Sequence, residues 1–226
     1  MKLFFLVLIC AAVPGLSMAA EPPPSDDAGA GWTEVLNRPD LRIATREKAG
    51  FTVKEVRAVG RIDAPTAVVR NVLADAEDYP QFMPYTKESR VLSRDPSHHT
   101  LVAYARLSPP VVGQRDYTIR VTEESRHSAD GGTIFQMRWE PANELGPAEI
   151  KGVARVKVNH GSWLLEPTDG GAATRATYTV LTDGGGGLPA WVINAANKRS
   201  VPDLFEAVRK TAKDPKYRTA PAATTP

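Results

Sequence analysis

The chain has 226 residues, of which 42% are hydrophobic and 24% are charged, and its formal net charge is +2. This length allows one domain or at most two, and the hydrophobic share is enough to build a core. The near-neutral charge, without a long basic face, argues against nucleic-acid binding.

The first twenty residues predict a cleaved export signal. Lys2 precedes an apolar run over residues 3–13, and the small-residue pattern at 17–19 suits cleavage after residue 19 or 20. The run is too short to span a bilayer as a helix, so cleavage is favoured over an uncleaved anchor. We therefore expect a periplasmic or secreted protein. Its mature part has no cysteine, because Cys10 leaves with the signal.

The rest of the chain is predicted to form one domain with flexible ends. Residues 21–30 and 214–226 are rich in proline, alanine and polar residues, which predicts disorder. No linker interrupts residues 31–213, and no internal repeat is evident. We therefore expect a signal peptide (1–20), a flexible N-terminus (21–30), a single domain (31–213) and a disordered tail (214–226).

In chain order, the domain is predicted to contain a short helix, two strands, a second short helix, seven strands and a long helix. Helical spacing of Trp32, Val35 and Leu36 predicts the first helix. Alternation predicts strands beginning near Leu41 and Val56, and an apolar helical stripe follows Pro65. The seven strands are expected at 87–94, 99–108, 114–124, 133–140, 150–158, 162–167 and 173–182, and the last helix at Leu188 to Lys213.

Short turns join these seven strands, which predicts antiparallel pairing. A curved sheet of this size needs its concave face covered, and only the terminal helix is long enough to cover it. The predicted fold class is therefore α+β, with a curved antiparallel β-sheet wrapped around a long C-terminal α-helix.

Four consecutive glycines, Gly184, Gly185, Gly186 and Gly187, precede this helix. A phosphate-binding loop would need Lys and Ser or Thr at the helix start, where leucine and proline follow instead. A plain turn and a hinge are the other two interpretations. The hinge is favoured because glycine tolerates backbone changes that few residues do.

Alternating side chains mark candidate walls of a cavity. Phe135, Met137 and Trp139 alternate along one predicted strand, and Ala154 and Val156 along another. These residues either fill a core or leave a cavity, and the small side chains favour a cavity. On the terminal helix, Trp191 and Ala195 share a face. Asn194 is adjacent to Ala195 and lies just outside this face. Three roles are open for its side chain: contact with a ligand head group, capping of the helix, or exposure to solvent.

Charged residues form a second candidate group. Arg115 and Asp116 are adjacent and must lie on opposite faces of a strand, and Arg155 follows Ala154 in the same way. A structural ion pair is favoured over a ligand contact for these residues. The four histidines lack metal-site spacing, and nucleophile and dinucleotide signatures are absent, so we expect no metal and no cofactor.

Seven motifs, in order along the chain, resemble the START (StAR-related lipid transfer) domains of the helix-grip superfamily. The resemblance covers about residues 31 to 212. The motifs are Trp32; Ala64-Pro65; Leu73-Ala74-Asp75 through Tyr79-Pro80; Gln114-Arg115-Asp116-Tyr117; Gly152-Val153-Ala154-Arg155; Gly161-Ser162-Trp163 to Pro167; and Gly186-Gly187-Leu188-Pro189-Ala190-Trp191 with Asn194. The stretch from Tyr79 to Pro84 is also similar to the coenzyme-Q-binding and polyketide-cyclase-like branch of the superfamily.

The resemblance implies a helix-grip domain that binds, without catalysis, a lipid or other hydrophobic small molecule and carries it. Sterol-carrying relatives often hold a charged pair in the cavity, whereas Val102 and Val121 stand near those positions here. The expected ligand contacts are Tyr104, Phe135, Met137, Trp139, Ala154, Val156, Trp191, Asn194 and Ala195, with Arg115, Asp116 and Arg155 as structural or head-group polar residues.

Other functions stay open at this point. The superfamily includes cyclases and hydrolases, for which Tyr104, Arg106 or Asp116 would supply the polar groups, and it includes quinone binders. A scaffold with a filled core is a further alternative. Seven basic residues between positions 198 and 218, against three acidic ones, predict transient contact of the terminal helix with an anionic membrane surface. A solvated helix end, where the helix dipole favours basic residues, explains them equally well.

Overall fold

The computed structural model describes residues 31–110, 112–128 and 132–218. The predicted signal peptide (1–20), the predicted flexible segment (21–30) and the tail from residue 219 lie outside the described residues. The strands are β1 (Thr33–Arg38), β2 (Leu41–Arg46), β3 (Glu55–Ile62), β4 (Thr86–Asp95), β5 (Thr100–Leu107), β6 (Arg115–His127), β7 (Thr133–Pro141), β8 (Ala154–Arg155), β9 (Val158–Thr168) and β10 (Ala173–Asp183), and the α-helices are α1 (Thr66–Ala74), α2 (Tyr79–Phe82) and α3 (Ala190–Thr211). Short 3₁₀ turns lie at Ala76–Asp78, Pro96–His98, Asn143–Leu145, Asp169–Gly171 and Pro215–Tyr217.

The strands form one antiparallel sheet, in the order β1-β2-β3-β10-β9-β7-β6-β5-β4. Strand β8 has only two residues and pairs with β6 in parallel. Most neighbours in the sheet follow each other in sequence because short turns join them. There are two exceptions: β7 pairs with β9, which follows β8 in the chain, and β3 pairs with β10, which joins the N-terminal strands to the last strand. The sheet is curved, and α3 lies along it, as the α+β prediction requires.

The core lies between the concave face of the sheet and helices α1 and α3. Strand β3 alternates as predicted, so that Val56, Ala58 and Ile62 are buried. Phe205 of α3 is fully buried and packs on Gly60 of the same strand. A Cβ atom at position 60 would lie 2.7 Å from the Phe205 ring, so glycine is needed for the helix to approach this closely.

Helix α3 has nearly the predicted extent, Ala190–Thr211 against the expected Leu188 to Lys213. Pro189 precedes the first turn, where the missing N–H of proline costs nothing. Pro202 lies inside the helix. Val201, Phe205 and Val208 are buried at helical spacing, which fixes the second half of α3 on the core.

The predicted helix at the start of the domain is wrong, because Thr33–Arg38 is strand β1. The pairing of β1 with β2 shifts register between Glu34 and Leu36, so Val35 is the extra residue of a β-bulge. Val35 and Leu36 both pack against the core. Two consecutive core-facing residues imitate helical spacing, which explains the error.

Two further predictions need correction. The strand expected at 150–158 is only the two-residue β8, and β9 runs through the turn expected at residues 159–161. The tail was expected to be disordered from residue 214. Instead Tyr217 is buried, and Lys216 Nζ lies 2.6 Å from Asp75 Oδ2 and 2.8 Å from Asp78 Oδ2. The packed domain therefore continues to Arg218.

Candidate functional site: a cavity under the terminal helix

A cavity of about 990 Å³ lies between the concave face of the sheet and helix α3. This volume is at the upper end of the range expected for a small-molecule site, roughly 300–1,000 Å³. Most of the wall is apolar. Its apolar side chains include Leu101, Ala103, Ala105 and Leu107 of β5, Ile119 and Val121 of β6, Met137 and Trp139 of β7, and Val192, Ala195, Val201 and Leu204 of α3.

Small residues keep part of this space open. Ala103 and Ala105 of β5 point toward the cavity, where larger side chains would fill it. Gly161 of β9 lies opposite Trp139. A Cβ atom at position 161 would collide with the Trp139 ring and lie 2.5 Å from the Thr179 carbonyl oxygen. Glycine at 161 therefore gives the tryptophan ring its place in the wall.

Aromatic rings of the cavity wall pack against one another and against the core. Trp139 stacks on Tyr178 at a centroid distance of 5.8 Å, Tyr178 lies 4.7 Å from Trp163, and Trp163 lies 5.3 Å from Phe205. The Trp139 Nε1–H donates to Asn159 Oδ1 at 3.1 Å. The indole is thus satisfied within the protein, and its apolar face is left for a ligand.

Tyrosine hydroxyls add polarity to the wall without adding charge. Tyr79, Tyr117 and Tyr178 all line the cavity. Burial raises the pKa of Tyr117 to about 12, and it raises the pKa of Tyr79 and Tyr178 as well. The cause is the cost of a phenolate in an apolar environment. All three hydroxyls therefore stay neutral at ordinary pH.

A neutralised ion pair lies in the wall at the α1 side. Arg70 Nε donates to both carboxylate oxygens of Glu123, at 3.0 and 2.9 Å. Both residues line the cavity. Because the geometry is bidentate, each charge compensates the other, and the pair presents little net charge to the interior.

Arg115 lies in the wall near the start of α3. Its Nε–H donates to the carbonyl oxygen of Gly184 at 2.8 Å, and its Nη1 donates to that of Gly113 at 3.1 Å. A longer contact of 3.5 Å joins Nη2 to the carbonyl oxygen of Gly185. The residue is buried, and burial lowers the pKa of the guanidinium.

Asp116 lies on the other face of β6, away from the cavity. Arg155 donates to its two carboxylate oxygens, from Nε at 2.8 Å and from Nη2 at 3.0 Å. The Tyr104 hydroxyl donates to the same carboxylate at 3.2 Å. The hydrogen bond to Asp116 raises the pKa of Arg155. Asp116 and Arg155 thus form the structural ion pair that the sequence favoured, while Arg115 has different partners.

The four glycines form a tight turn against β8. Gly185, Gly186 and Gly187 have φ values of +67°, +69° and +68°, which only glycine adopts readily. A Cβ atom at Gly185 would lie 2.8 Å from the Arg155 carbonyl oxygen, and one at Gly186 would lie 3.2 Å from the Ala154 Cβ atom. These glycines are required by a left-handed turn and by close packing, whether or not the turn moves.

Five of the nine expected ligand contacts lie in the cavity wall: Met137, Trp139, Val156, Trp191 and Ala195. The other four lie elsewhere. Tyr104 is fully buried on the opposite face of β5, and Phe135 packs at the edge of the core. Ala154 faces Gly186, and the Asn194 side chain accepts a hydrogen bond from the Lys54 N–H at 3.1 Å. Asn194 therefore ties α3 to the loop before β3.

The residues of β5 that line the cavity, and Ile119 of β6, were not among the expected ligand contacts. Leu101, Ala103 and Ala105 alternate along β5, and this pattern was visible in the sequence. The missed signal was the smallness of the alanines, which is unusual on a core-facing strand. Among the residues that the structure describes, no cluster of His, Cys, Asp and Glu could hold a metal ion. Within the same residues, no helix is long and apolar enough to cross a membrane.

A comparison with known proteins identifies the family to which this chain belongs. The family described as polyketide cyclase / dehydrase and lipid transport matches residues 62–209. The chain belongs to this family. It is 25% identical over 189 residues to the phosphatidylcholine transfer protein of Mus musculus, which covers 82% of this chain and 86% of that protein. It is 27% identical over 164 residues to an uncharacterized protein of Pseudomonas aeruginosa, covering 73% of this chain and 78% of that protein.

Solved structures confirm the fold. A STAR-related lipid transfer protein from Xanthomonas axonopodis superposes with a TM-score of 0.71 at 25% identity, covering 82% of this chain and 100% of that chain. Human STARD10 gives a TM-score of 0.70 at 19% identity, with 84% and 77% covered. The protein is thus a START domain of the helix-grip superfamily, as the sequence motifs indicated.

Proposed function

We propose that this START domain binds a lipid or other hydrophobic small molecule in the cavity under α3 and carries it. The observation that carries this proposal is the cavity itself, about 990 Å³ with a mainly apolar wall. Water in such a space finds few hydrogen-bond partners, so an apolar ligand that displaces it is favoured.

Carriage is supported by the relatives. The Mus musculus protein is named for the transfer of phosphatidylcholine, and the Xanthomonas axonopodis protein for lipid transfer. A deep cavity suits transport because it shields much of the apolar part of a ligand from water. A shallow surface groove would leave part of that surface exposed and would give up the corresponding stabilisation, roughly 25 cal/mol per Å².

We favour binding over catalysis. The polar set suggested for an enzyme was Tyr104, Arg106 and Asp116. Tyr104 and Asp116 are bonded to each other outside the cavity, and Arg106 Nη2 lies 3.1 Å from Glu88 Oε2. A reacting group in the cavity would have none of these side chains within reach. The family description includes cyclases and dehydrases, so catalysis is the second candidate.

We also propose that the protein works outside the cytoplasm and touches membranes through α3. The support for export is the signal-like segment 1–20. The support for membrane contact is Trp191, which is 73% exposed on the first turn of α3 and also borders the cavity. Exposed tryptophan suits a membrane interface. The basic excess is smaller than the sequence suggests, because Arg209 and Lys216 are held in ion pairs with the domain.

The proposal is tested by native mass spectrometry of the purified protein, followed by extraction and identification of any bound molecule. A bound lipid or quinone is expected, and its identity separates a general lipid carrier from a quinone binder. Ala103→Phe, which adds a ring in the cavity wall, should lower ligand occupancy. Ser93→Phe, which adds the same ring at an exposed position, is the matched control. A native protein that neither retains nor takes up any apolar molecule from vesicles would contradict the proposal.

A further inference from the structure

Arg115 is a buried cation in the wall of the cavity. Only 6% of its surface is exposed, and it lines the cavity together with Gly184 and Leu188. Buried arginines are normally paired with an acidic group, because removing a charge from water is costly. The partners of Arg115 therefore decide whether its charge is compensated within the protein.

Its hydrogen-bond partners are all neutral. The guanidinium donates to the backbone carbonyls of Gly184, Gly113 and, at 3.5 Å, Gly185. In the part of the chain that the structure describes, no carboxylate forms an ion pair with it. Two acidic residues, one next to Arg115 and one next to its partner Gly184 in sequence, are engaged elsewhere. Asp116 pairs with Arg155, and Asp183 accepts the Gly185 N–H at 3.0 Å.

The other end of the cavity provides a contrast. There Arg70 is held by both oxygens of Glu123 and is neutralised. The Arg115 end also contains the start of α3, whose first turn has neither an acidic residue nor a side-chain cap among the described residues. The positive end of a helix of 22 residues adds to the uncompensated positive charge. The charge of Arg115 thus lies at the end of the cavity beneath the glycine turn, without a carboxylate partner among the described residues.

We propose that Arg115 binds the anionic head group of an amphiphile, a carboxylate or a phosphate, whose apolar chain lies along the cavity. This inference rests on the proposed function and names the class of ligand. A guanidinium has five N–H donors, and three of them are used by the carbonyls, so donors remain for an oxyanion. Carboxylate and phosphate oxygens match the geometry of these donors and supply the missing negative charge.

The test compares acidic ligands with uncharged analogues on protein freed of co-purified lipid. The probes are palmitate against methyl palmitate, and lysophosphatidate against monopalmitoylglycerol. Binding is followed by calorimetry and by the fluorescence of Trp139 and Trp163, which line the cavity. At least one acidic probe should bind about tenfold more tightly than its uncharged analogue, as expected for hydrogen bonds to a charged group. The preferred pair distinguishes a carboxylate from a phosphate head group.

Variants then assign the preference to Arg115. Arg115→Met should abolish the preference for acidic probes by weakening the binding of these probes alone. Arg115→Lys should retain part of the preference, because the positive charge stays while the parallel N–H donors of the guanidinium are lost. Arg126→Met makes the same change at an exposed position of the same strand and should retain the full preference. If Arg115→Met does not fold, the comparison of probes on the unaltered protein still decides. Equal affinity for acidic and uncharged probes overturns the inference while lipid binding stands. Absence of binding by all four overturns the inference and also the proposed binding of acyl lipids.

Discussion

If ligand reaches the cavity by movement of the glycine turn, a covalent bond between that turn and β8 should close the route. Ala154 and Gly186 are the positions for this bond, because a Cβ atom at 186 would lie 3.2 Å from the Ala154 Cβ atom. Natural disulfides have Cβ–Cβ distances of roughly 3.5–4.5 Å, so a small relaxation suffices. The variant Ala154→Cys/Gly186→Cys has no competing thiol once Cys10 has been removed with the signal.

The size of the effect on stability follows from the geometry. The bond closes a loop of about 33 residues, for which the chain-entropy relation gives about 3.7 kcal/mol of stabilisation. A cysteine at 186 must adopt the left-handed conformation of the glycine, φ +69°, at a cost of roughly 1–2 kcal/mol. The oxidised variant should therefore be about 2 kcal/mol more stable toward urea than the unaltered protein, and the reduced variant roughly 1–2 kcal/mol less stable.

The functional assay is transfer of a fluorescent lipid from donor vesicles, with the same protein measured before and after reduction. The oxidised form should take up lipid at least about tenfold more slowly, which corresponds to about 1.4 kcal/mol in the barrier, and reduction should restore the rate. Each single cysteine variant, alkylated, controls for the substitutions. Equal rates in both forms, with the bond confirmed by mass spectrometry, would refute a hinge at this turn and leave the glycines a static turn.

Three other perturbations have defined outcomes. Asp116→Asn leaves the buried Arg155 without its counter-ion, so urea unfolding should show a loss of about 3–5 kcal/mol; a loss below about 1 kcal/mol would mean that the pair is not structural. Raising the pH should destabilise the fold above pH 10, because the unfolded state loses the Tyr117 proton near pH 10 and the folded state only near pH 12. Between these values the free energy of unfolding should fall by up to about 1.4 kcal/mol per pH unit. Tyr117→Phe should reduce this dependence on pH. Gly161→Ala should force the Trp139 ring to move, which should lower the free energy of unfolding by about 1–3 kcal/mol and alter the tryptophan emission. Unchanged emission would contradict the contact between position 161 and Trp139.

The sequence was most informative where a local pattern matched a regular element in the core. Alternating apolar residues in β3 and the helical stripe of α3 face a continuous core, so the pattern and the burial agree. The terminal helix was placed within two residues at each end from the spacing of its apolar residues. The motifs identified the family, which periodicity alone could not do, and two of their residues, Gly161 and Gly186, lie at close contacts in the structure.

Local patterns failed where the backbone is irregular. The bulge at Val35 turns two adjacent side chains to the core, and a strand of this kind has the spacing of a helix. The alternation from Ile150 to Val158 does not form a strand, because Val153 N–H bonds to the Ile150 carbonyl and only Ala154 and Arg155 pair with β6. In the first case the pairing with β2 decides the structure, and in the second a local turn and a short pairing with β6 decide it.

The candidate site was predicted only in part. Alternation separates the two faces of a strand, but it does not tell which face lines the cavity. On β5, Tyr104 seemed the more suitable ligand contact, yet it is Ala103 and Ala105 that line the space. Register against β4 and β6 decides this, and register depends on the whole sheet. Arg115 and Asp116 are adjacent, so only the fold could show which of the two belongs to the cavity.

The same arginine links recognition to the glycine turn. The Arg115 guanidinium holds the turn by donating to the carbonyl oxygens of Gly184 and Gly185. The contact with Gly185, at 3.5 Å, is at the limit of a hydrogen bond. An oxyanion that engages two parallel N–H groups competes first with this weaker bond, because it is the easiest to replace. Binding of an acidic ligand would then release the Gly185 carbonyl from Arg115 while it neutralises the buried charge of this arginine. Arg115→Lys should separate the two effects, because an ammonium keeps the charge and cannot hold two carbonyls and a bidentate ligand in one plane.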